Sequence, residues 1–275
     1  MDSPNIDIAP PGSGIAAMAS GRGPPCVLIH GALGDYRQWD AIGQRLRPRL
    51  RVIALSRRHH WPNDAPVAGV DYSIESHRDD LLAFVRGLPG PLHLVGHSYG
   101  ALVVLAAALA APELLGSVTL IEPPLAGLLP PAAAGLDAEL ASRTQMVTAM
   151  RTQILAGDDA AASVTLIDWV QSGQGGFAAL AEANRRQLLA NAATIGPTYA
   201  SAPQNVDCAQ LRNLRVPTLI LNGARSRLFY RLAAQAAASC IPAATAAEIP
   251  DAGHMVIVEK PAATAQALLR FLASG

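Results

Sequence analysis

The sequence lacks an excess of either charge, and it lacks the motifs of most cofactor-binding proteins. It has 21 Lys and Arg against 21 Asp and Glu in 275 residues. This balance gives no indication of nucleic acid or an anionic membrane surface as a partner. No dinucleotide fingerprint, phosphate-binding loop or metal-ligand spacing is present. The sequence therefore predicts neither a cofactor nor a metal.

Cysteines and long apolar runs are also scarce. The three cysteines, Cys26, Cys208 and Cys240, are far apart and odd in number. They fit neither a metal site nor a disulfide framework, so we expect buried free thiols and a reducing, cytoplasmic compartment. Residues 1–5 show no basic segment leading into an apolar one, so no secretory signal is expected. The longest apolar run, residues 101–111, is shorter than the roughly 20 residues that cross a bilayer.

What the sequence does contain is an alternation of short apolar runs with helical patterns. Such runs are typical of parallel strands that are buried on both faces. They occupy residues 26–29, 51–55, 92–95, 118–121 and 217–221. Helical patterns cover residues of about 76–88, 99–111 and 261–273. The alternation predicts an α/β fold with a doubly wound, mostly parallel sheet.

The alternation stops between Pro123 and about Leu214, where amphipathic helical patterns follow one another. We interpret residues 123–213 as a helical cap inserted into an α/β core formed by residues 1–122 and 214–275. A cap above the carboxyl ends of the strands would shape a substrate pocket and exclude water. The alternative is a separate helical domain, which we favour less because both ends of the insert return to one sheet.

One serine lies between two glycines at a predicted strand-to-helix junction, in Gly96-His97-Ser98-Tyr99-Gly100. The turn at such a junction is so tight that side chains two residues before and after the serine would collide. The turn holds the hydroxyl at the edge of the sheet, beside a helix N-terminus. A serine hydroxyl is a weak nucleophile and needs a base beside it. We therefore predict Ser98 as a nucleophile; the alternative is an ordinary turn that contains a serine.

A histidine on the last loop before the last helix is the candidate base. It lies in Asp251-Ala252-Gly253-His254-Met255. A glycine-containing loop can place the imidazole above the sheet edge, within reach of Ser98. We therefore predict His254 as the base; the alternative is a structural or exposed histidine.

These motifs resemble those of the α/β-hydrolase superfamily over almost the whole chain. The matching stretches are residues 27–31, 94–100 and 252–254, and the run from His254 to Pro261 is also similar. The resemblance implies an α/β-hydrolase fold with a serine-hydrolase site and the chain order serine, then histidine. It also implies an oxyanion hole, which we assign to the backbone N–H groups of Ala32 and Tyr99.

The acid of the expected triad is displaced. Ser226 stands where relatives usually carry an aspartate, and residues 222–231 contain no acid. Glu122, at the end of the strand after the nucleophile, is our candidate; haloalkane dehalogenases and zearalenone lactonases have a similar arrangement. An acid there would accept the Nδ1–H of His254 and offset its charge. Asp251 and Asp35 are the reserve candidates, and loss of the acid is a further alternative.

The basic and aromatic loop at residues 56–62 offers candidate substrate contacts. Arg57 and Trp61, with His30 nearby, could hold a carboxylate or phenolate group at the pocket mouth. The alternative, which we slightly favour, is solvated arginines beside a packed Trp61.

The function predicted is hydrolysis of a small-molecule carboxylic ester or lactone through an acyl-enzyme. C–C bond hydrolysis, acyl transfer and a lyase reaction can use the same triad and stay open. A cofactor-free oxygenase or peroxidase is possible but has no support in the residues. A non-catalytic receptor with a vestigial site is the alternative from another class, supported only by the missing aspartate. The natural substrate and the oligomeric state cannot be read from the sequence.

Overall fold

Eight strands form one sheet in the computed structural model, which describes residues 6–7, 15–201 and 205–273. The strands are β1 (Ile6–Asp7), β2 (Ala17–Ser20), β3 (Pro25–Ile29), β4 (Arg51–Leu55), β5 (Leu92–His97), β6 (Leu115–Ile121), β7 (Thr218–Gly223) and β8 (Ala244–Ile249). Their order across the sheet is β1-β2-β4-β3-β5-β6-β7-β8. All strands from β3 to β8 are parallel, whereas β1 and β2 add an antiparallel edge. The predicted doubly wound, mostly parallel α/β sheet is confirmed.

Twelve α-helices accompany these strands in the described residues. They are α1 (Asp40–Leu46), α2 (Ile74–Val85), α3 (Tyr99–Ala110), α4 (Leu136–Leu155), α5 (Asp159–Val170), α6 (Gly176–Ala179), α7 (Glu182–Ala190), α8 (Ile195–Ala200), α9 (Cys208–Leu211), α10 (Leu228–Cys240), α11 (Val256–Glu259) and α12 (Pro261–Ala273). Short 3₁₀ helices lie at Tyr36–Trp39, Pro112–Leu114, Ala126–Leu128 and Ala192–Thr194. None of the helices in the described ranges has both the length and the apolar character that a bilayer crossing requires.

The two faces of the sheet are buried in two separate hydrophobic clusters. Successive strand residues point to opposite faces, so Val27 and Ile29 join one cluster and Cys26 and Leu28 the other. Helices α2, α3 and α10 cover the first face, and α1, α11 and α12 cover the second. The apolar runs of the central strands therefore have a packing partner on both sides.

The chain between β6 and β7 holds α4 to α9 and forms a third hydrophobic cluster. Met146, Leu166 and Trp169 of this insert pack in that cluster with Leu33 and Phe229, which belong to other parts of the chain. Residues 177–193 form no continuous helix but α6, α7 and a 3₁₀ turn, because the backbone is extended at Leu180. The limits of a cap domain at residues 123 and 213 stay a prediction.

An ion pair connects the insert to the sheet region. Arg227, just before α10, donates from Nε and Nη2 to the two carboxylate oxygens of Glu139 on α4, at 2.8 and 2.9 Å. The side chains are only 15% and 11% exposed, respectively. Two parallel hydrogen bonds in a partly buried place fix the relative orientation of both side chains. We call this pair the Glu139–Arg227 clasp.

A disulfide joins Cys208 and Cys240, which corrects the prediction of three free thiols. The first of these residues begins α9 and the second ends α10, and the chain between them returns through β7 to bring the Cα atoms within 5.2 Å. Their sequence separation hid this contact. Cys26 is free and buried as predicted, and burial raises the pKa of its thiol to about 12. The disulfide removes the cysteine argument for a reducing compartment, so the cytoplasmic location stays a prediction. Residues 1–5, from which the absence of a secretory signal is predicted, lie outside the described residues.

Candidate active site

Ser98 lies on a strained turn between β5 and α3. Its backbone has φ 51° and ψ −118°, a conformation that costs energy for a residue with a side chain. A Cβ on Gly96 would lie 2.3 Å from the Gly100 carbonyl oxygen, and a Cβ on Gly100 would lie 2.4 Å from that of Ile29. Both positions therefore require glycine. The Ser98 N–H donates to the Ile121 carbonyl at 2.8 Å, which attaches the turn to the end of β6.

Glu122 follows β6 and is fully buried. It too has a positive φ, 54°, and its N–H donates to the Leu221 carbonyl of β7 at 2.9 Å. Its carboxylate accepts hydrogen bonds on both oxygens. Oε1 accepts from the Gly223 N–H at 2.7 Å and from the Ser226 hydroxyl at 2.6 Å, and Oε2 lies 3.1 Å from His254 Nδ1. These hydrogen bonds replace the water that a carboxylate loses on burial.

Ser226 therefore takes part in the candidate site, whereas the sequence showed only that position 226 lacks the usual aspartate. The sequence did single out Ser226, because it stands where that acid would be expected. That its hydroxyl donates to Glu122 could not be deduced. Neither reserve acid forms a hydrogen bond with His254 among the described residues. Asp35 is buried and accepts hydrogen bonds from Arg37, Gln187 and Asn191. Asp251 is exposed, and no hydrogen bond joins its carboxylate to His254 among the described residues.

The imidazole of His254 connects the acid to the serine. Its Nε2 lies 3.0 Å from Ser98 Oγ, and the ring is almost completely buried. With Nδ1–H donating to Glu122, Nε2 is free to accept the serine proton; this tautomer is assigned from the hydrogen-bond partners. The ring packs against Tyr230, with 4.1 Å between centroids. The structure thus brings Ser98, His254 and Glu122 together in one hydrogen-bonded chain.

His97 forms a hydrogen bond with the backbone of His254, a contact that sequence reasoning missed. Its Nε2–H donates to the His254 carbonyl oxygen at 2.9 Å. Burial lowers the pKa of His97 to about 3, so the ring is neutral at physiological pH. The position of a neighbouring loop cannot be read from the motif around Ser98, so no sequence signal pointed to this role.

A cavity of about 380 Å³ opens above Ser98 and His254. A volume of this size suits a small organic ligand. The insert supplies much of its wall through Met146, Leu166 and Trp169, and Phe229 and Tyr230 of α10 add aromatic surface. Burial raises the pKa of two lining phenols, to about 12 for Tyr199 and well above its ordinary value for Tyr230, so both are neutral.

Ala32 and Tyr99, the predicted oxyanion residues, line this cavity beside Ser98. Tyr99 is the first residue of α3, where backbone N–H groups have no partner within the helix. Neither N–H donates to a protein acceptor in the part of the chain that the structure describes. Both donors are therefore available to a ligand at this end of the cavity, and their role stays a prediction.

The three predicted substrate-binding residues, His30, Arg57 and Trp61, do not line the cavity, which corrects the expectation of direct contact. Trp61 is 39% exposed and lies under the Arg37 guanidinium, 3.7 Å from its ring centroid. The alternative of solvated arginines is also wrong for Arg57, which is buried. Arg58 instead pairs with Asp80, and both side chains are partly buried.

His30 and Arg57 both bind the back of the turn that carries Ala32. The carbonyl of Gly31 accepts from His30 Nδ1–H at 2.8 Å and from Arg57 Nη2–H at 3.1 Å. Arg57 Nη1–H also donates to His77 Nε2 at 3.1 Å, and the backbone N–H of Arg57 donates to His30 Nε2 at 2.9 Å. No carboxylate pairs with Arg57 among the described residues.

The histidines around Arg57 are neutral. Burial is the main cause that lowers the pKa of His30, His60 and His77, and the positive charge of Arg57 is the second. Neutral rings can accept hydrogen bonds from the guanidinium or its neighbours, which a protonated imidazole cannot do. Among Arg57, His30, His60 and His77, the charge is therefore carried by Arg57 alone.

Comparisons with known proteins bear on the family and the fold. Residues 26–267 match the alpha/beta hydrolase family. The chain is 24% identical over 265 residues to 2-(acetamidomethylene)succinate hydrolase of Mesorhizobium japonicum, covering 92% of this chain and 89% of that protein. Carboxylesterase CesB of Bacillus subtilis has a TM-score of 0.76 at 20% identity, over 100% of this chain and 93% of that one. Naproxen esterase of Bacillus subtilis has a TM-score of 0.67 at 21% identity, over 94% and 87%. At these identities the structural likeness shows the fold alone.

Proposed function

Because the chain belongs to the alpha/beta hydrolase family, we propose that it is a serine hydrolase that cleaves a small-molecule carboxylic ester or lactone. The observation that carries the proposal is the hydrogen-bonded chain from Ser98 through His254 to Glu122, which faces a cavity of about 380 Å³. The names of several relatives support ester cleavage, since CesB is described as a carboxylesterase and another structure as naproxen esterase.

In the proposed reaction, Ser98 Oγ attacks the substrate carbonyl while His254 Nε2 takes its proton. The N–H groups of Ala32 and Tyr99 stabilise the oxyanion, and loss of one such donor typically costs ~3 kcal/mol. The protonated His254 then gives its proton to the leaving alcohol, and an acyl-enzyme forms on Ser98. Water activated by His254 releases the acid, and Glu122 offsets the imidazolium charge in both steps.

The position of Glu122 bears on the receptor alternative. That alternative rested on the absence of an aspartate at position 226. A buried carboxylate at hydrogen-bond distance from His254 removes this argument, because the chemistry requires an acid and not a particular strand. C–C bond hydrolysis, acyl transfer and lyase chemistry remain secondary candidates, and no contact in the cavity favours one of them over ester hydrolysis.

Covalent labelling tests the proposal directly. A fluorophosphonate is expected to add a single label, located on Ser98 by mass spectrometry of peptides, and Ser98→Ala should abolish it. A panel of p-nitrophenyl esters and lactones should then be hydrolysed by the wild type and not by Ser98→Ala. Failure to label a folded wild-type protein, together with no turnover on the panel, would contradict the proposal.

A further inference from the structure

Arg143 places a cation on the wall of the cavity. It lies on α4 and lines the same cavity as Ser98. Its guanidinium is 5.3 Å from the centroid of the Phe229 ring, and its charge acts on the buried phenols of Tyr199 and Tyr230. No hydrogen bond or ion pair to Arg143 is present among the described residues.

The acid that would ordinarily pair with Arg143 is occupied. Glu139 precedes Arg143 by one helical turn, a spacing that favours an ion pair on the surface of a helix. The Glu139–Arg227 clasp instead engages both oxygens of that carboxylate. Arg143 is thereby left for the cavity.

No Asp or Glu lines the cavity in the described part of the chain, and most of the lining is apolar. A guanidinium beside apolar walls binds a carboxylate more strongly than it would in water, because the local dielectric constant is lower. We propose that Arg143 forms an anion subsite and that the substrate is an ester or lactone that also bears a carboxylate. This inference rests on the proposed function and narrows its substrate class.

A matched pair of chromogenic substrates tests the subsite. Mono-p-nitrophenyl glutarate is anionic, and its methyl ester is a neutral counterpart with the same leaving group. Wild type should prefer the anionic substrate in kcat/KM by roughly 10- to 100-fold, the effect of a hydrogen bond to a charged group. Arg143→Met should bring the ratio of the two kcat/KM values close to one. Arg151→Met is the matched control, since Arg151 is an exposed residue of the same helix that does not line the cavity.

A binding experiment separates this inference from the proposed function. Glutarate should bind the Ser98→Ala variant in calorimetry, and the additional change Arg143→Met should weaken that binding at least roughly tenfold. If the wild type neither labels nor hydrolyses esters, but glutarate binding still depends on Arg143, the anion subsite is supported and the hydrolase function is contradicted. Equal substrate ratios in wild type and Arg143→Met, with ester hydrolysis intact, would overturn the subsite alone.

A second inference comes from Arg57, on a different observation. The Gly31 carbonyl and the Ala32 N–H belong to one peptide group, so a cation that binds the oxygen polarises the N–H on the other side. Arg57 and His30 both donate to that oxygen. The Arg57 guanidinium also lies 4.6 Å from the ring centroid of Tyr99, whose N–H is the other predicted oxyanion donor.

The geometry points to Arg57 as a positioning residue that strengthens the oxyanion hole without touching the substrate. Its hydrogen-bond partners are neutral and no carboxylate pairs with it among the described residues, so its positive charge acts on the site without being cancelled. The charge is most useful when an oxyanion develops and contributes little to substrate binding, so its effect belongs to kcat. This inference also rests on the proposed function.

Two replacements of Arg57 test this role. Arg57→Gln removes the charge and Arg57→Lys keeps it, so kcat should decrease in the order Arg, Lys, Gln, with a loss of roughly 10- to 100-fold for Gln and little change in KM. Affinity for a boronic acid that forms a tetrahedral adduct on Ser98 should fall in parallel with kcat. Arg58→Gln, which removes a neighbouring guanidinium from a partly buried ion pair, is the matched control. Equal kcat and boronate affinity in wild type and Arg57→Gln would overturn the inference, as would equal losses in a Lys and a Gln variant that both fold.

Discussion

The two sides of Ser98 carry buried charges of opposite sign, and the protein accommodates them in different ways. On one side, the Glu122 carboxylate has two neutral donors and one imidazole. On the other side, the Arg57 guanidinium has a peptide carbonyl and a neutral histidine. We call these the anion side and the cation side.

A buried charge is costly unless polar partners replace the water it loses. Glu122 has a partner that can become a cation, since His254 is protonated during the proposed reaction. No carboxylate pairs with Arg57 among the described residues, and in the proposed reaction the oxyanion of the substrate supplies the opposite charge. In the proposed reaction, each side is thus complementary to a charge that exists only transiently, which is the condition for stabilising a transition state.

The largest expected effect comes from neutralising the anion side. Glu122→Gln keeps the shape of the side chain but removes the charge that offsets imidazolium. We expect kcat to fall roughly 10³- to 10⁴-fold with little change in the melting temperature. Steady-state kinetics on a p-nitrophenyl ester measures this. Asp251→Asn is the control, and the acid assignment is wrong if that variant loses turnover while Glu122→Gln retains it.

Moving the acid from position 122, after β6, to position 226, after β7, tests whether the anion side depends on one strand. Ser226 Oγ lies 2.6 Å from Glu122 Oε1, so an acid at position 226 would lie near the same imidazole. Glu122→Ala combined with Ser226→Asp should regain roughly 100-fold of the kcat that Glu122→Ala loses, since the triad requires a carboxylate and not a given strand. The measurement is kcat for both variants on one ester. No recovery in a folded double variant would mean that the end of β6 is the only workable position.

A smaller effect is expected from removing the hydrogen bond that Ser226 donates to Glu122. Ser226→Ala removes one of three hydrogen bonds to the Glu122 carboxylate but leaves that of the Gly223 N–H. We expect kcat to fall roughly tenfold, the value of a hydrogen bond to a charged group. Ser226→Thr, which keeps the hydroxyl, is the matched control. Identical kcat values for Ala, Thr and wild type would show that the backbone N–H is sufficient.

The smallest effect is expected from acid pH, which should lower the free energy of unfolding through the buried histidines of the cation side. Burial lowers the pKa of His77 below its ordinary value of 6.5 in the folded protein, so the unfolded chain binds more protons below that pH. Stability is therefore fully present above pH 6.5 and falls as the pH decreases, by about 1.4 kcal/mol per pH unit for each such histidine. Urea unfolding at pH 7.5 and 5.5 measures this loss. In His77→Gln the loss should be smaller by about that amount; an identical loss would contradict the prediction.

The central sheet and the meeting of the three site residues could be predicted from the sequence. The apolar runs mark strands because burial on both faces leaves no room for polar residues. The carboxyl ends of parallel strands meet at one edge, which brings Ser98 and Glu122 together. The antiparallel strand Ala17–Ser20 was missed because a strand of four residues that is buried only at alternate positions carries no such run.

The contacts that could not be predicted depend on tertiary packing. Arg57 and Arg58 are adjacent and chemically identical, yet one is buried behind the turn and the other pairs with Asp80. Nothing in a local pattern distinguishes them. The same holds for Cys208 and Cys240, whose pairing depends on how the chain returns through β7, and for Glu139, which bypasses its helical neighbour to reach Arg227.

The Glu139–Arg227 clasp constrains how this scaffold can be re-engineered. Exchanging residues 123–213 for the corresponding segment of a relative is an obvious way to alter specificity. A donor segment without an acid at the place of Glu139 would leave the poorly solvated guanidinium of Arg227 without its ion-pair partner. An isolated charge at this position, beside the start of α10, is destabilising. A successful chimera has to transfer that carboxylate or replace Arg227 at the same time.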